Sequence, residues 1–462
     1  MCKSFLNNRK YPLAILSFLL FLLPGCRKDF SPLKISFVRL SIEQVGVTEV
    51  WLKLEMDNGD DGKEFSVKRD SETIFRGRLA GDDTTLHDKN LLPSHEYSYV
   101  AYRLANGKEI YSSELLKVTT MDTTSHEFSW EIYTFGGVRG SSVLRDVCII
   151  DENDIWAVGE IHTEDTDCWN EDSTQWIPSY NAVHWNGVNW ELVRIYYDFK
   201  VNFPDGYSDG PSWAPIDAIF ATEAGDIWIK SGTIHHFDGQ KWHQYQSLFS
   251  VNKIWGTGSN NMYFVGYGGT IVHYDGSRWR KLEAPLGQDG TDLDIYDIWG
   301  EENQQTGEYE ILCVAAKKFE SYNRAILKIK DQQVATLADN GIPWSLSGIW
   351  FIPNQIYWVV GGGIYYKRNI MNSSSWTRID KRLTEYYINS IRGNEINDII
   401  AVGAFGEVLH FNGVSWKSQR DKTRLSYGTY YRVDVRANLI CAVGEDASSG
   451  RSKALILRGT HF

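Results

Sequence analysis

The chain has 462 residues, of which 14% are aromatic and 23% are charged, with 40 glycines and only 11 prolines. This composition is that of a folded protein and excludes a disordered or collagen-like chain. The formal net charge of −12 argues against binding to a nucleic-acid backbone, so we expect no nucleic-acid partner.

The first 25 residues have the layout of a secretory signal peptide. Basic residues precede an apolar run at 13–23 that is short for a membrane span. The motif LPGC at 23–26 resembles the lipobox of bacterial lipoproteins, in which the cysteine becomes the lipid-modified first residue. The resemblance implies a signal peptide at 1–25, lipidation at Cys26 and attachment to a membrane through the N-terminal lipid.

Residues 26–33 are expected to form a tether. The residue after the lipidation site is Arg27, whereas an aspartate at this position would resemble an inner-membrane retention mark. We therefore expect an outer-membrane lipoprotein that is periplasmic or surface-exposed.

The chain from 34 to 121 alternates apolar and polar residues in short runs, which predicts an antiparallel sandwich. In this segment Leu92-Pro93, Tyr97 and the closing VTT at 118–120 resemble the tyrosine corner and last strand of fibronectin type III domains. The resemblance implies a fibronectin type III-like domain, for which a spacer role near the membrane is the expected one.

The remainder, 126–462, is built from one repeated segment. Its seven versions are DIWAVGE (154–160), DIWIKSG (226–232), NMYFVGYG (261–268), YEILCVAA (309–316), QIYWVVGG (355–362), DIIAVGAF (398–405) and NLICAVGE (438–445). Each is preceded by an apolar run and followed by a third, and most copies then carry a tryptophan strand. Four strands repeated seven times predict an all-β fold, a seven-bladed β-propeller.

The two ends of the repeat region complement each other. The seventh unit lacks a tryptophan strand, whereas FSWEIYTF at 128–135 precedes the first unit and has no strands to pair with. We expect this segment to supply the outer strand of the last blade, which closes the ring and removes an exposed edge.

Asp-Gly or Asn-Gly pairs mark the outer hairpin of four units. They lie at 186–187, 238–239, 275–276 and 412–413, each between an aromatic residue and a following tryptophan. Such pairs predict a tight hairpin in which both residues adopt positive φ. These hairpins resemble those of Asp-box and photosystem assembly factor-like propeller repeats, although the Asp box has a residue between Asp and Gly, so no sialidase residues are carried over.

A histidine precedes each of these four aromatic residues. Equivalent positions on third strands are distributed around a ring, so these imidazoles should be more than about 10 Å apart. We therefore expect them to be hydrogen-bonded at the edges of the blades, and we expect no metal ion and no cofactor. The cysteines of the mature chain have no metal-site or disulfide-framework spacing, and a disulfide at Cys168 is left open.

The first strands should converge on the axis of the ring. Their charged residues at one level are Asp146, Lys253, Asp297 and Arg432. Two interpretations remain open for them: they bind a small polar ligand in the central channel, or they neutralise one another around water.

Two insertions interrupt unit one, at 161–181 and 196–213. The loops to which they belong open on the same face of a propeller, and long loops on a rigid scaffold often carry function. The candidate ligand-binding residues on them are Trp169, Trp176, Tyr180, Tyr207, Trp213, Asp165 and Asp172. Aromatic faces beside carboxylates suit sugar rings and also protein hot spots.

These features favour a non-catalytic, lipid-anchored binding or scaffold protein that presents a propeller face to a polysaccharide or a protein. The alternative is a glycan hydrolase or lyase that uses carboxylates of the same face, since glycoside hydrolysis needs two carboxylates at a defined separation. No catalytic residue is assigned.

Overall fold

The computed structural model describes residues 37–57, 63–203, 206–245, 250–285, 293–423 and 425–461, with backbone only at 63, 198–203 and 206–211. The signal peptide, Cys26 and the tether lie outside these residues. Among the described residues, no helix is long and apolar enough to cross a membrane. Regular structure here is β apart from one short helix at Arg420–Thr423 and one 3-10 turn at Tyr267–Gly269.

Eight strands come first. They are β1 (Val38–Val45), β2 (Glu49–Met56), β3 (Lys63–Arg69), β4 (Glu72–Leu79), β5 (Asp83–Lys89), β6 (Glu96–Ala105), β7 (Lys108–Ser112) and β8 (Leu116–Thr119). They form two antiparallel sheets, β1-β2-β5 and β4-β3-β6-β7 with β8 on β6, around one hydrophobic core. The Tyr97 hydroxyl accepts a hydrogen bond from the Leu92 backbone N–H at 2.8 Å, which ties β6 to the loop before it.

The rest of the chain is a succession of short strands. They are β9 (Phe128–Phe135), β10 (Val143–Asp151), β11 (Asp154–Ile161), β12 (Cys168–Trp169), β13 (Trp176–Ile177), β14 (Tyr180–Trp185), β15 (Trp190–Val193), β16 (Tyr197–Phe203), β17 (Gly206–Ser212), β18 (Ala218–Glu223), β19 (Asp226–Ser231), β20 (Thr233–Phe237), β21 (Trp242–Tyr245), β22 (Val251–Gly258), β23 (Asn261–Gly266), β24 (Ile271–Tyr274), β25 (Trp279–Leu282), β26 (Asp294–Glu302), β27 (Tyr309–Ala316), β28 (Arg324–Lys330), β29 (Gln333–Leu337), β30 (Leu346–Ile352), β31 (Ile356–Gly361), β32 (Gly363–Lys367), β33 (Thr377–Arg378), β34 (Ile388–Glu395), β35 (Asp398–Gly403), β36 (Val408–Phe411), β37 (Trp416–Ser418), α1 (Arg420–Thr423), β38 (Gly428–Arg436), β39 (Leu439–Asp446) and β40 (Lys453–His461).

Most of these strands belong to four-stranded antiparallel sheets, which we number one to seven. They are β10-β11-β14-β15, β18 to β21, β22 to β25, β26 to β29, β30 to β33, β34 to β37 and β38-β39-β40-β9. The first strand of each sheet contacts the first strand of the next, and β38 contacts β10, so the cycle is closed. This is the arrangement of a β-propeller.

The outermost strand of sheet seven comes from the other end of the repeat region. Strand β9 pairs antiparallel with β40, from Phe128 opposite His461 to Phe135 opposite Ala454. The Trp130 ring lies over Gly459, where an added Cβ would come within 2.2 Å of the indole. The pairing expected from the sequence is therefore present, and only glycine fits beneath this ring.

The Asp/Asn-Gly hairpins differ from the prediction. In sheet one Trp185 pairs with Trp190, so four residues form the loop, and only Gly187 has positive φ. The Asn186 side chain instead accepts hydrogen bonds from the backbone N–H groups of Val188 and Asn189. The prediction of positive φ at both positions is wrong, because a four-residue loop lets the first residue act as a side-chain cap.

The two N-terminal sheets, formed by β1 to β8, pack against the ring. The Met121 backbone N–H donates to the Gly46 carbonyl at 3.0 Å, and the side chain of Met121 packs on sheets five and six. Arg368 forms an ion pair with Glu49 and lies 5.1 Å from the centre of the Trp51 ring. Burial lowers the pKa of Arg368 to about 10.

Candidate functional site

Two buried ion pairs cross the centre of the ring. Lys253 Nζ lies 2.6 and 2.8 Å from the carboxylate oxygens of Asp146. Arg392 binds Asp297 through two hydrogen bonds of 2.8 Å. All four side chains are buried, so these charges are matched within the protein.

We call these two ion pairs the ion-pair belt. Its two carboxylates also join neighbouring sheets. Asp146 accepts a hydrogen bond from the Ile219 backbone N–H of sheet two at 3.0 Å. Asp297 accepts one from Ile349 of sheet five at 3.0 Å. Three of the four predicted channel residues, Asp146, Lys253 and Asp297, are thus engaged in structural contacts.

Sequence reasoning missed Arg392, the partner of Asp297. Ser390 is the residue of sheet six that corresponds to the predicted channel residues of the other first strands. Arg392 lies two positions after it. Residues two apart on a strand point to the same face, so the same column continued by one step would have included Arg392.

A cavity of about 480 Å³ lies above the ion-pair belt, at the mouth of the channel. It is lined by the beginnings of first strands and the ends of second strands, together with loop residues. Its lining residues are Val143, Arg145, Asp217, Lys230, Ser250, Val251, Asn252, Tyr267, Tyr296, Lys318, Ser347, Asn389, Tyr431, Arg432 and Glu445. We call this space the channel-mouth cavity.

The channel-mouth cavity opens on the same face as the two insertions of unit one. The loops that carry the insertions leave from the end of the sheets where first strands begin and second strands end. His162 of the first insertion contacts Glu160 at 3.3 Å, and Glu160 contacts Arg145 of the cavity wall at 3.8 Å. The first insertion thus borders the cavity at sheet one.

Positive charge exceeds negative charge in the lining. The cavity has four cationic side chains, Arg145, Lys230, Lys318 and Arg432, and two carboxylates, Asp217 and Glu445. Asp217 pairs with Arg145 and with Lys230, each at 2.8 Å. Glu445 instead accepts a hydrogen bond from a tyrosine hydroxyl.

Among the described residues neither Lys318 nor Arg432 forms an ion pair with a carboxylate, although the charge of Arg432 lowers the pKa of the buried Asp297 carboxyl. Arg432 donates to the Tyr296 carbonyl at 2.8 Å. The Lys318 ammonium group lies 5.6 Å from the Tyr296 ring and 5.8 Å from that of Tyr387. Burial, and then repulsion by Arg432, lower the pKa of Lys318. Two neighbouring cations that make no direct ion pair form a site suited to an anion.

The tryptophans of the first insertion form an exposed pair. Trp169 and Trp176 are opposite each other on β12 and β13, with ring centres 5.8 Å apart, and are 57% and 47% exposed. Neither lines the channel-mouth cavity. Trp213 is half-buried, and Tyr207 lies on β17, where only the backbone is described. The structure therefore does not place Trp169 or Trp176 in the wall of the cavity, and the side chain of Tyr207 lies outside what the structure describes.

The acidic candidates have unlike roles. Asp165 accepts hydrogen bonds from Thr163 and Tyr180, and its contact with Arg194 is 3.3 Å. These hydrogen bonds lower the pKa of Asp165 to about 2, so it stays ionised and cannot serve as a general acid near neutral pH. Asp172 is exposed. Cys168 forms no disulfide with the other cysteines that the structure describes, Cys148, Cys313 and Cys441, which are also free.

No protein-family model matches the chain. No curated protein matches it either.

Three solved structures are similar to this chain. YCF48 from Cyanidioschyzon merolae is 14% identical, with 72% of this chain and 98% of that chain covered and a TM-score of 0.48. The Cps50 (Swd1) β-propeller domain from Myceliophteria thermophila is 9% identical, with coverage of 72% and 100% and a TM-score of 0.44. A quinonprotein alcohol dehydrogenase-like protein from Bacteroides thetaiotaomicron is 8% identical, with coverage of 90% and 95% and a TM-score of 0.33.

Proposed function

We propose that the protein is a non-catalytic binding protein that holds an anionic group of its partner in the channel-mouth cavity. The observation that carries the proposal is the pair of cations, Lys318 and Arg432, that face this cavity without a carboxylate partner among the described residues. The chain as a whole has a net charge of −12, so a cavity with an excess of cationic side chains is an exception that favours an anionic ligand.

The partner we favour is an acidic polysaccharide. Tyr267, Tyr296 and Tyr431 line the cavity together with the cations, so sugar rings can stack while their carboxylate or sulfate groups are paired. A protein partner that inserts an acidic side chain is the second candidate, because the exposed pair Trp169 and Trp176 on the same face also suits a protein hot spot.

The wider architecture forms part of this proposal. The seven sheets would be the seven blades of a closed propeller at 126–462, and residues 34–121 a fibronectin type III-like domain. The closed cycle of first strands supports the first assignment, and the Tyr97 contact with Leu92 supports the second. Cys26 would carry the lipid that anchors the chain to an outer membrane, as the LPGC motif suggests.

Exchanging the two cations for methionine should weaken binding of an acidic polysaccharide. The double variant Lys318→Met and Arg432→Met removes two charge-assisted contacts of about 1.5–3 kcal/mol each, which corresponds to at least about 100-fold in affinity. Isothermal titration of the chain from residue 27 onward with a uronic-acid polysaccharide measures this, with its carboxyl-reduced form as the neutral ligand.

The matched control is Lys117→Met, which removes an exposed lysine of β8 and should leave the affinity unchanged. Equal binding of the acidic polysaccharide by the double variant and the native chain would refute the proposal. Binding of an acidic protein instead of the glycan would select the second candidate. Cleavage of the polysaccharide that Asp217→Asn abolishes would select the hydrolase or lyase.

Removing the exposed indoles tests whether the first insertion extends the binding surface. Trp169→Ala and Trp176→Ala should each reduce polysaccharide affinity by about 2- to 12-fold, since aromatic contacts contribute about 0.5–1.5 kcal/mol each. Both side chains are exposed, so thermal unfolding should change little. Unchanged affinity in both variants would restrict the binding surface to the channel-mouth cavity.

A further inference from the structure

Three potential metal ligands meet where the chain ends close the ring. Asp398 begins β35, His410 lies on β36 and His461 ends β40. Asp398 Oδ1 is 3.2 Å from His410 Nε2 and 3.0 Å from His461 Nε2, and the three atoms all lie within 4.8 Å of one another. Asp398 and His410 are buried, and His461 is half-buried. We call these three residues the seam cluster.

Sheets one and two also contain a histidine paired with an aspartate, like His410 with Asp398 in the seam cluster. His184 Nε2 lies 2.8 Å from Asp154 Oδ1 in sheet one, and the matching distance from His236 to Asp226 in sheet two is 2.7 Å. These pairs acquire no further imidazole within ligand distance among the described residues. Ring spacing keeps the repeat histidines apart, but His461 belongs to the chain end and lies outside that column.

We propose that the seam cluster binds a divalent transition-metal ion, with Zn²⁺ as the best match. Two imidazole nitrogens and one carboxylate oxygen are a frequent zinc ligand set. In a tetrahedral site with bonds of about 2.0–2.1 Å, the ligand atoms are about 3.3 Å apart. The two distances from Asp398 Oδ1, 3.2 and 3.0 Å, are close to this value, and all three ligand atoms lie within 4.8 Å of one another.

Neighbouring groups support the three ligands. The Asn394 side chain donates to Asp398 Oδ2 at 2.7 Å. His410 Nδ1 is 2.8 Å from His126 Nδ1, so the His410 Nδ1–H can donate to His126 while Nε2 faces the ion. The Thr124 hydroxyl oxygen, 3.3 Å from His410 Nε2, adds a neutral oxygen beside the cluster. Such second contacts fix the tautomer and orientation of metal-bound histidines.

An ion at the seam cluster would join sheet six to the last strand of the chain. Strand β40 lies between β39 and β9, so its position decides whether the ring stays closed. A ligand that binds the folded state alone stabilises it by mass action, by about 2.7 kcal/mol at 100 times its dissociation constant. Bound zinc should therefore raise the melting temperature.

The test uses the chain from residue 27 onward, stripped with a chelator and titrated with Zn²⁺ alone. We expect one zinc ion per chain by calorimetry and a rise in melting temperature. His461→Ala should lose this binding by more than about 100-fold, and His126→Ala should weaken it by about 10- to 100-fold. The control His184→Ala, from a pair without a third ligand, should bind zinc as the native chain does.

Two results would overturn the proposal: no stoichiometric zinc binding, or the same affinity in native chain and His461→Ala. Should His461→Ala fail to fold, Co²⁺ bound to the native chain gives an independent answer. A tetrahedral site of nitrogen and oxygen ligands gives visible absorption bands of high intensity, and their absence at one equivalent of Co²⁺ would equally refute the site.

Discussion

Replacement of Asp297 by Ala is expected to lower the free energy of unfolding by about 3–5 kcal/mol. The substitution leaves the buried Arg392 guanidinium without its carboxylate, and breaking a buried ion pair from one side has this cost. It also removes the acceptor of the Ile349 backbone N–H, which links sheets four and five. Denaturant unfolding followed by tryptophan fluorescence measures the change.

The double variant Asp297→Leu and Arg392→Met is the control for that experiment. It removes both charges and fills the space with apolar atoms, so its loss of stability should be clearly smaller than that of Asp297→Ala. A loss below about 1 kcal/mol for Asp297→Ala would contradict a buried, structural pair at the centre of the ring.

A chain that ends at Ser452 is expected to lose cooperative folding of the ring. The truncation removes β40, so β9 loses the only strand with which it pairs among the described residues, and β39 gains an open edge. Several fully buried side chains, including Leu455 and Leu457, are lost with it. We expect no sharp thermal transition by circular dichroism and rapid proteolysis of the repeat region.

Ile132→Ala gives the comparison for this truncation. Ile132 lies on β9 but is 45% exposed, so its loss should change the free energy of unfolding by no more than about 0.5 kcal/mol. If the truncated chain kept a sharp transition at the native temperature, closure through β9 and β40 would not stabilise the ring.

The repeats made most of the ring predictable. The second strands are largely apolar and buried, as Ile356–Gly361 shows most clearly, so their pattern recurs whatever lies in the loops. Closure by Phe128–Phe135 followed from the absent strand of the seventh unit. The hairpin conformation was mispredicted because the dipeptide Asn186-Gly187 does not specify loop length, and the opposition of Trp185 and Trp190 does.

The candidate site was less accessible to sequence reasoning. The insertions of unit one carry the predicted binding residues, whereas the cavity is lined by Lys318, which lies in the loop between β27 and β28. Of the predicted channel residues, Arg432 alone lacks a carboxylate partner among the described residues. Which charges are matched depends on contacts across the ring, such as Arg392 with Asp297, and no spacing along the chain encodes these.

The channel-mouth cavity can be tested most directly with an anion that scatters anomalously. Crystals of the chain from residue 27 onward, soaked in selenate, should show an anomalous peak within hydrogen-bonding distance of Lys318 and Arg432. The peak should vanish in the double variant Lys318→Met and Arg432→Met. Selenate peaks that occur elsewhere on the protein but not between these two side chains would contradict an anion site at the mouth of the channel.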